Sequence, residues 1–346
     1  MINTFIYRQV TRELSRVLGC QGTHEEIINV RQKRYQKDPG EYVRLLFEDA
    51  NIKTMLVETG YPSKEFSGYE VDLDLFSRMT QNEVREIFRI DNVIFSLFKD
   101  QLSFEASVEE FHERVKDAMK RGAVSLKTVI AYSSGLEIKR EDEADARRAH
   151  RAVTGEVMSG KSIREIFYDG IDAVKTVMDY FVFQGIEDCV KFEVPLQIHA
   201  GLGNPSIIDV RRENPLLLRD LLNDESSKQA RIVLTHGRYP YTEEAGFLAS
   251  AYPNVFLDFS AISPFSSIGL EEKLLNLFEM TPTTKIMYGS DGHKIPELSW
   301  ISSIQAKKCL ADALNELVAS REIDEEWAHE IAKQILSDNA EYIYNL

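Results

Sequence analysis

Seven stretches of this chain read as β-strands, and helical patterns lie between most of them. They are Lys53–Thr59, Val84–Ile90, Ser125–Tyr132, Val194–His199, Arg231–His236, Val255–Phe259 and Lys285–Gly289. Between them, Val108, Phe111, Val115 and Met119 fall on one helical face, and Ile163, Ile166, Phe167, Val174, Val177, Met178 and Phe181 on another. Strands joined by helix-length crossovers run parallel in one sheet. A doubly wound open sheet accepts seven strands, but its Gly-rich dinucleotide fingerprint is missing, and so is a P-loop. The remaining fold is a (β/α)8 TIM-like barrel, which needs eight strands and keeps its active site at their C-terminal ends.

The first fifty residues are helical instead. Ile6, Val10, Leu14, Val17 and Leu18 have helical spacing, and Gly19 follows as a C-cap. Thr23-x-x-Glu26 is a capping box before a second helix, and a third runs near Glu41–Ala50. The expectation is one domain over 1–346, with a helical segment 1–50 and a barrel 51–346. The barrel's first strand is missing, and the helices form an insertion before strand two.

The 346 residues are 43% hydrophobic and 28% charged, as in a soluble globular protein. A net charge of −15 repels a phosphate backbone and argues against nucleic acid. No apolar run is long enough to span a bilayer, and the N-terminus lacks a signal-peptide pattern, which places the protein in the cytoplasm by default. Cys20, Cys189 and Cys309 form neither a disulfide framework nor a zinc pattern, and Cys189 and Cys309 read as small core residues.

Three strands end in groups that bind metals or move protons: VPLQIHAG at His199, RIVLTHGR at His236 and KIMYGSDGH at Asp291. Side chains two apart on a strand share a face, so Gln197 and His199 point into the lumen together, and Leu234 and His236 share a face likewise. Imidazoles and carboxylates suit zinc, manganese or iron. A metal there lowers the pKa of its water from about 15.7 toward about 7, and Asp291 can take and return that proton.

Lys127, within SLKTVIAY, reads as a buried ammonium that either pairs with a carboxylate such as Asp291 or forms a carbamate bridging two metals. Glu58 and Tyr61 end the second barrel strand and Arg89 the third; Arg89 can grip a substrate carboxylate or make a structural salt bridge. His293 and Lys294 follow Asp291 as pocket-lining or loop residues. His24, His112, His150 and His329 read as solvated. Ser133–Lys161 and Gly201–Pro215 read as loops on the active-site side or as solvated connections.

The stretches LKTVIAYSSGL, PLQIHAGLG, THGRYPYTEEAGFLASAYPNVFLDFS, MYGSDGHKIPE and SDNAEYIYNL resemble the amidohydrolase superfamily, in its amidohydrolase-related branch with nodulin- and FluG-type proteins. The resemblance runs from about Phe5 to the C-terminus. It implies a distorted barrel with one or two divalent metals, held by His199, His236 and Asp291, with Asp291 as proton shuttle. Lys127 matches the position where some relatives carry a carbamylated lysine. It implies hydrolysis of a small molecule at carbon or phosphorus, with decarboxylation or isomerisation in some branches.

The family's His-x-His first strand has no counterpart among the seven histidines. The expected catalytic pair is Asp291 and His236, the expected ligands are His199, His236, Asp291 and Lys127, and the expected substrate contacts are Gln197, Arg89, Glu58 and His293. Two alternatives stand beside the hydrolase. One is a catalytically impaired barrel remnant acting as a scaffold. The other is a lyase or isomerase on the same barrel. Unpaired sheet edges would also suit a homo-oligomer.

Overall fold

A computed structural model describes residues 4–60, 71–169, 172–201, 203, 209–236, 240–260, 267–293 and 295–346. Tyr61 and Lys294 lie outside the described residues. Seven parallel strands stand side by side in chain order: β1 (Thr54–Glu58), β2 (Glu83–Arg89), β3 (Ser125–Thr128), β4 (Leu196–His199), β5 (Ile232–Thr235), β6 (Val255–Asp258) and β7 (Ile286–Met287). Each falls within or against a segment read from the sequence, and β1 and β7 are not paired among the described residues. The result is a curled α/β sheet of the TIM-like kind.

The two faces of the sheet divide the core. Leu126, Leu196, Ile198, Ile232, Leu234 and Leu257 pack outward against the helices. Val233, Phe256 and Met287 pack inward with Ile343 and Tyr344 from the C-terminal helix Asn339–Tyr344, which plugs the lumen from below. Burying each such aliphatic side chain is worth about 1.5–3 kcal/mol.

The opening segment folds as three helices, α1 (Phe5–Leu18), α2 (His24–Lys37) and α3 (Pro39–Asp49). Gly19 closes α1 in the left-handed conformation at φ 67°, and the Thr23 hydroxyl accepts from the Glu26 N–H at 3.3 Å to cap α2. These helices bury Leu46, Phe47 and Tyr42 against Trp300 and Ile301. Those two lie on the helix Pro296–Ala319 that follows β7. Trp300 donates its indole N–H to Asp49 at 2.9 Å.

Three expectations change. The third strand stops at Thr128, and Ile130–Tyr132 forms a 3₁₀ turn. Most of Ser133–Lys161 is the helix Glu143–Met158 rather than a loop. His150, on that helix, is buried and bonds Ser107 at 3.0 Å, so it is not solvated; its neighbours Ala146, Ala149 and Val153 form the helix's apolar face. His112 is half-buried and ion-paired to Asp188 at 2.7 Å. Among the described residues no helix is long and apolar enough to cross a membrane.

Candidate metal centre

The strand register fixes which side chains meet at the mouth of the lumen. Arg89 of β2 pairs with Lys127 of β3, and Lys127 with Gln197 of β4. Residues in register share a face, so these three point into the lumen, and His199 lies two residues above Gln197. Gln197 sits deepest and donates to the Tyr344 hydroxyl at 2.7 Å, so its amide is committed to the plug.

His236 reaches the same space by a different route. Leu234 faces the helices, so the expected shared face of Leu234 and His236 is not found. Strict alternation would send His236 outward too. Its φ of 58° breaks the alternation just past β5 and turns the ring inward. Asp291 and His293 are left-handed as well, at φ 50° and 46°. Such backbone costs about 1–3 kcal/mol per residue and collects where function demands it.

The rings of His199 and His236 meet edge to face with centroids 4.6 Å apart, and Tyr132 covers His199 at 4.8 Å. Burial, reinforced by His236 and Lys127, holds His199 well below its ordinary pKa. Burial does the same for His236, partly offset by Asp291. Burial thus favours the neutral imidazole at both, the form that binds a metal. Burial alone would raise the Asp291 carboxyl, but His236, His293 and Lys127 outweigh it and hold it below the usual carboxylate range. His293 stands 3.4 Å from Asp291, which raises its own pKa. Lys127 is half-buried, and Asp291 pairs with His293 rather than with it.

Two further residues escaped the sequence reading. Asp258, at the end of β6, accepts from the His236 N–H at 3.2 Å and the Ser260 N–H at 2.9 Å. The Ser260 hydroxyl bonds both Asp258 and, at 2.6 Å, His236 Nδ1. A carboxylate only accepts, so the hydroxyl donates to Asp258 and accepts from His236 Nδ1–H. That assigns the tautomer and leaves the Nε2 lone pair of His236 free. The signal was present in VFLDFS, a strand ending in Asp-x-Ser beside the β5 histidine. Gly289, after β7, permits this approach: a Cβ there would stand 2.8 Å from Ser260 Cβ.

The donor set suits a divalent ion, and one atom supports it directly. Among the described residues, Nε2 of His199 is buried with no hydrogen-bond partner, a costly arrangement for a polar atom unless a ligand completes it. Among the described residues no three His, Cys, Asp or Glu side chains converge closely enough to hold an ion as they stand.

The amidohydrolase profile matches residues 89–346. The chain belongs to the amidohydrolase family. Over 304 residues it is 29% identical to protein fluG of Emericella nidulans, a stretch that is 80% of this chain and 34% of fluG. The chain thus spans about a third of that relative's length. A Lactobacillus casei protein provisionally described as a metal-dependent hydrolase shares the fold at a TM-score of 0.83 and 24% identity, covering 99% of this amidohydrolase-family chain and 85% of its own. Uronate isomerase of Thermotoga maritima follows at 0.70 and 16%, covering 98% and 78%.

Proposed function

We propose that this protein is a metal-dependent hydrolase acting on a small molecule. The carrying observation is the buried, unpartnered Nε2 of His199 against the ring of a second neutral histidine. His199, His236 and Asp291 would hold the ion, zinc, manganese or iron, with Lys127 beside them. When bound, such an ion supplies Lewis acidity, which acidifies water and polarises a carbonyl. Asp291, whose carboxyl is held in the ionised range, takes a proton from the attacking water and returns it to the leaving group. Asp258 and Ser260 hold His236 in the tautomer the site needs.

The test is metal stoichiometry by mass spectrometry, before and after chelation and reloading with zinc, manganese or iron. Near-stoichiometric uptake that His199→Ala abolishes is the expected result. Wild-type protein that takes up none of the three ions would sink the reading and leave the scaffold alternative. For any substrate found, oxygen from labelled water should enter the product. Solvent deuterium entering an uncleaved product would instead favour the isomerase alternative.

A further inference from the structure

Arg89 is a guanidinium whose charge has neighbours but whose donors are unspent among the described residues. Its side chain keeps only 11% of its exposure, and its Nε is buried without a hydrogen-bond partner. A guanidinium carries five N–H donors in a fixed fork, yet among the described residues no hydrogen bond is drawn from this one. Its ion partner is Glu58, 3.7 Å away, beyond hydrogen-bond reach. Glu58 meanwhile accepts from the Gly60 N–H through its other oxygen.

The stem of Arg89 is clamped rather than loose. Gly60 lies so close that a Cβ there would meet Arg89 Cβ at 2.7 Å and Cδ at 2.8 Å. Asn92 holds that turn by donating to the Gly60 carbonyl at 2.7 Å. The register places Arg89 beside Lys127 on the lumen face, near enough to His199 to lower its pKa. A buried, pre-positioned fork with unspent donors at the mouth matches a carboxylate taken bidentately.

We propose that Arg89 anchors a carboxylate of the substrate. This rests on the hydrolase reading and narrows it to small carboxylic acids whose reacting bond lies next to the histidine pair. The probes are N-acetylglycine and its neutral methyl ester, titrated by ligand-observed NMR against wild type, Arg89→Lys and Arg89→Met. Metal-loaded and chelated protein are both used, with metal content measured alongside.

Wild type should prefer the anion in both forms, and Arg89→Met should weaken the anion about tenfold or more while leaving the ester unchanged. Arg89→Lys should fall between them, keeping the charge without the fork. Equal anion affinity in wild type and Arg89→Lys, or no preference for the anion in wild type, would overturn the proposal. Arg89-dependent discrimination in protein that takes up no metal would keep the anchor and remove the hydrolase. Metal uptake without discrimination would do the reverse.

Discussion

His150 and His199 are buried to nearly the same degree, 2% and 5% exposed, yet only His199 is proposed as a ligand. His150 lies in the helical layer, with its ring 4.7 Å from Phe98 and 5.7 Å from Phe104. Its Nε2 is satisfied by Ser107. His199 ends a lumen strand, and among the described residues its Nε2 has no partner. Burial lowers the pKa of both. Burial and a shifted pKa therefore do not separate a core histidine from a ligand. The separating observation is whether the polar atom is already used.

The sharpest way to break this contrast is to truncate both rings. His199→Ala should abolish metal retention, a larger loss than the about 10–100-fold that supporting residues cost. Its Nε2 has no hydrogen bond to lose among the described residues, so the stability cost of the variant is that of lost packing against Tyr132 and His236. His150→Ala should leave metal content unchanged. Mass spectrometry on the two purified variants decides it, and metal lost equally from both would erase the distinction.

Next in size are the residues that orient His236. Ser260→Ala and Asp258→Asn each remove part of the chain that assigns its tautomer. Metal affinity measured by competition with a chromophoric chelator should fall about 10–100-fold in each. Unchanged affinity in both would show that the ring is held by its backbone turn alone.

The sheet was legible because buried parallel strands are apolar runs bounded by turns, and IVLT, VFLD and LQIH look like nothing else. The site was legible only where a ligand-type residue ended such a run. His236 was singled out, but its route into the lumen was not foreseen, since strand alternation does not anticipate a left-handed residue at φ 58°. Asp258 and Ser260 act through His236, so their role appears only once β5 and β6 are side by side. His150 was misread because Arg147, Arg148 and Arg151 surround it in sequence while Phe98, Phe104 and Ser107 meet its ring in space. Ile130–Tyr132 has strand composition, yet Asp91 breaks the run by accepting the Val129 N–H at 3.0 Å.

A smaller effect sharpens the core half of the comparison. Removing the His150 ring should cost about 2–3 kcal/mol in chemical denaturation, through lost packing and an unpaired Ser107. Burial lowers its pKa from 6.5 to about 4, so the folded state favours the neutral ring. Its contribution is complete above pH 6.5 and is lost as pH falls toward 4, where the unfolded chain binds the extra proton. Wild type should therefore lose stability over that window more steeply than His150→Leu. Parallel slopes for the two proteins would count against a neutral core ring.

The smallest effect concerns a third buried polar group, which shows where the rule about unused atoms needs company. Glu213 is fully buried, and neither carboxylate oxygen has a partner among the described residues. Its peptide carbonyl accepts from the Gly201 N–H at 3.2 Å, close to His199 in sequence. Unlike His199, it has no second ligand-type ring against it among the described residues, and none of them marks it as a metal ligand. Burial raises its pKa from 4.5 to about 8, opposed by Arg212. The fold therefore favours the protonated acid. Its contribution is complete below pH 4.5 and is lost as pH rises through about 8, the reverse of His150. Glu213→Gln mimics the neutral acid, so it should flatten the decline between those limits and raise stability at pH 8 by about 1 kcal/mol. A variant less stable than wild type at pH 8 would mean that the charged carboxylate has a partner, and that Glu213 belongs with the site rather than beside it.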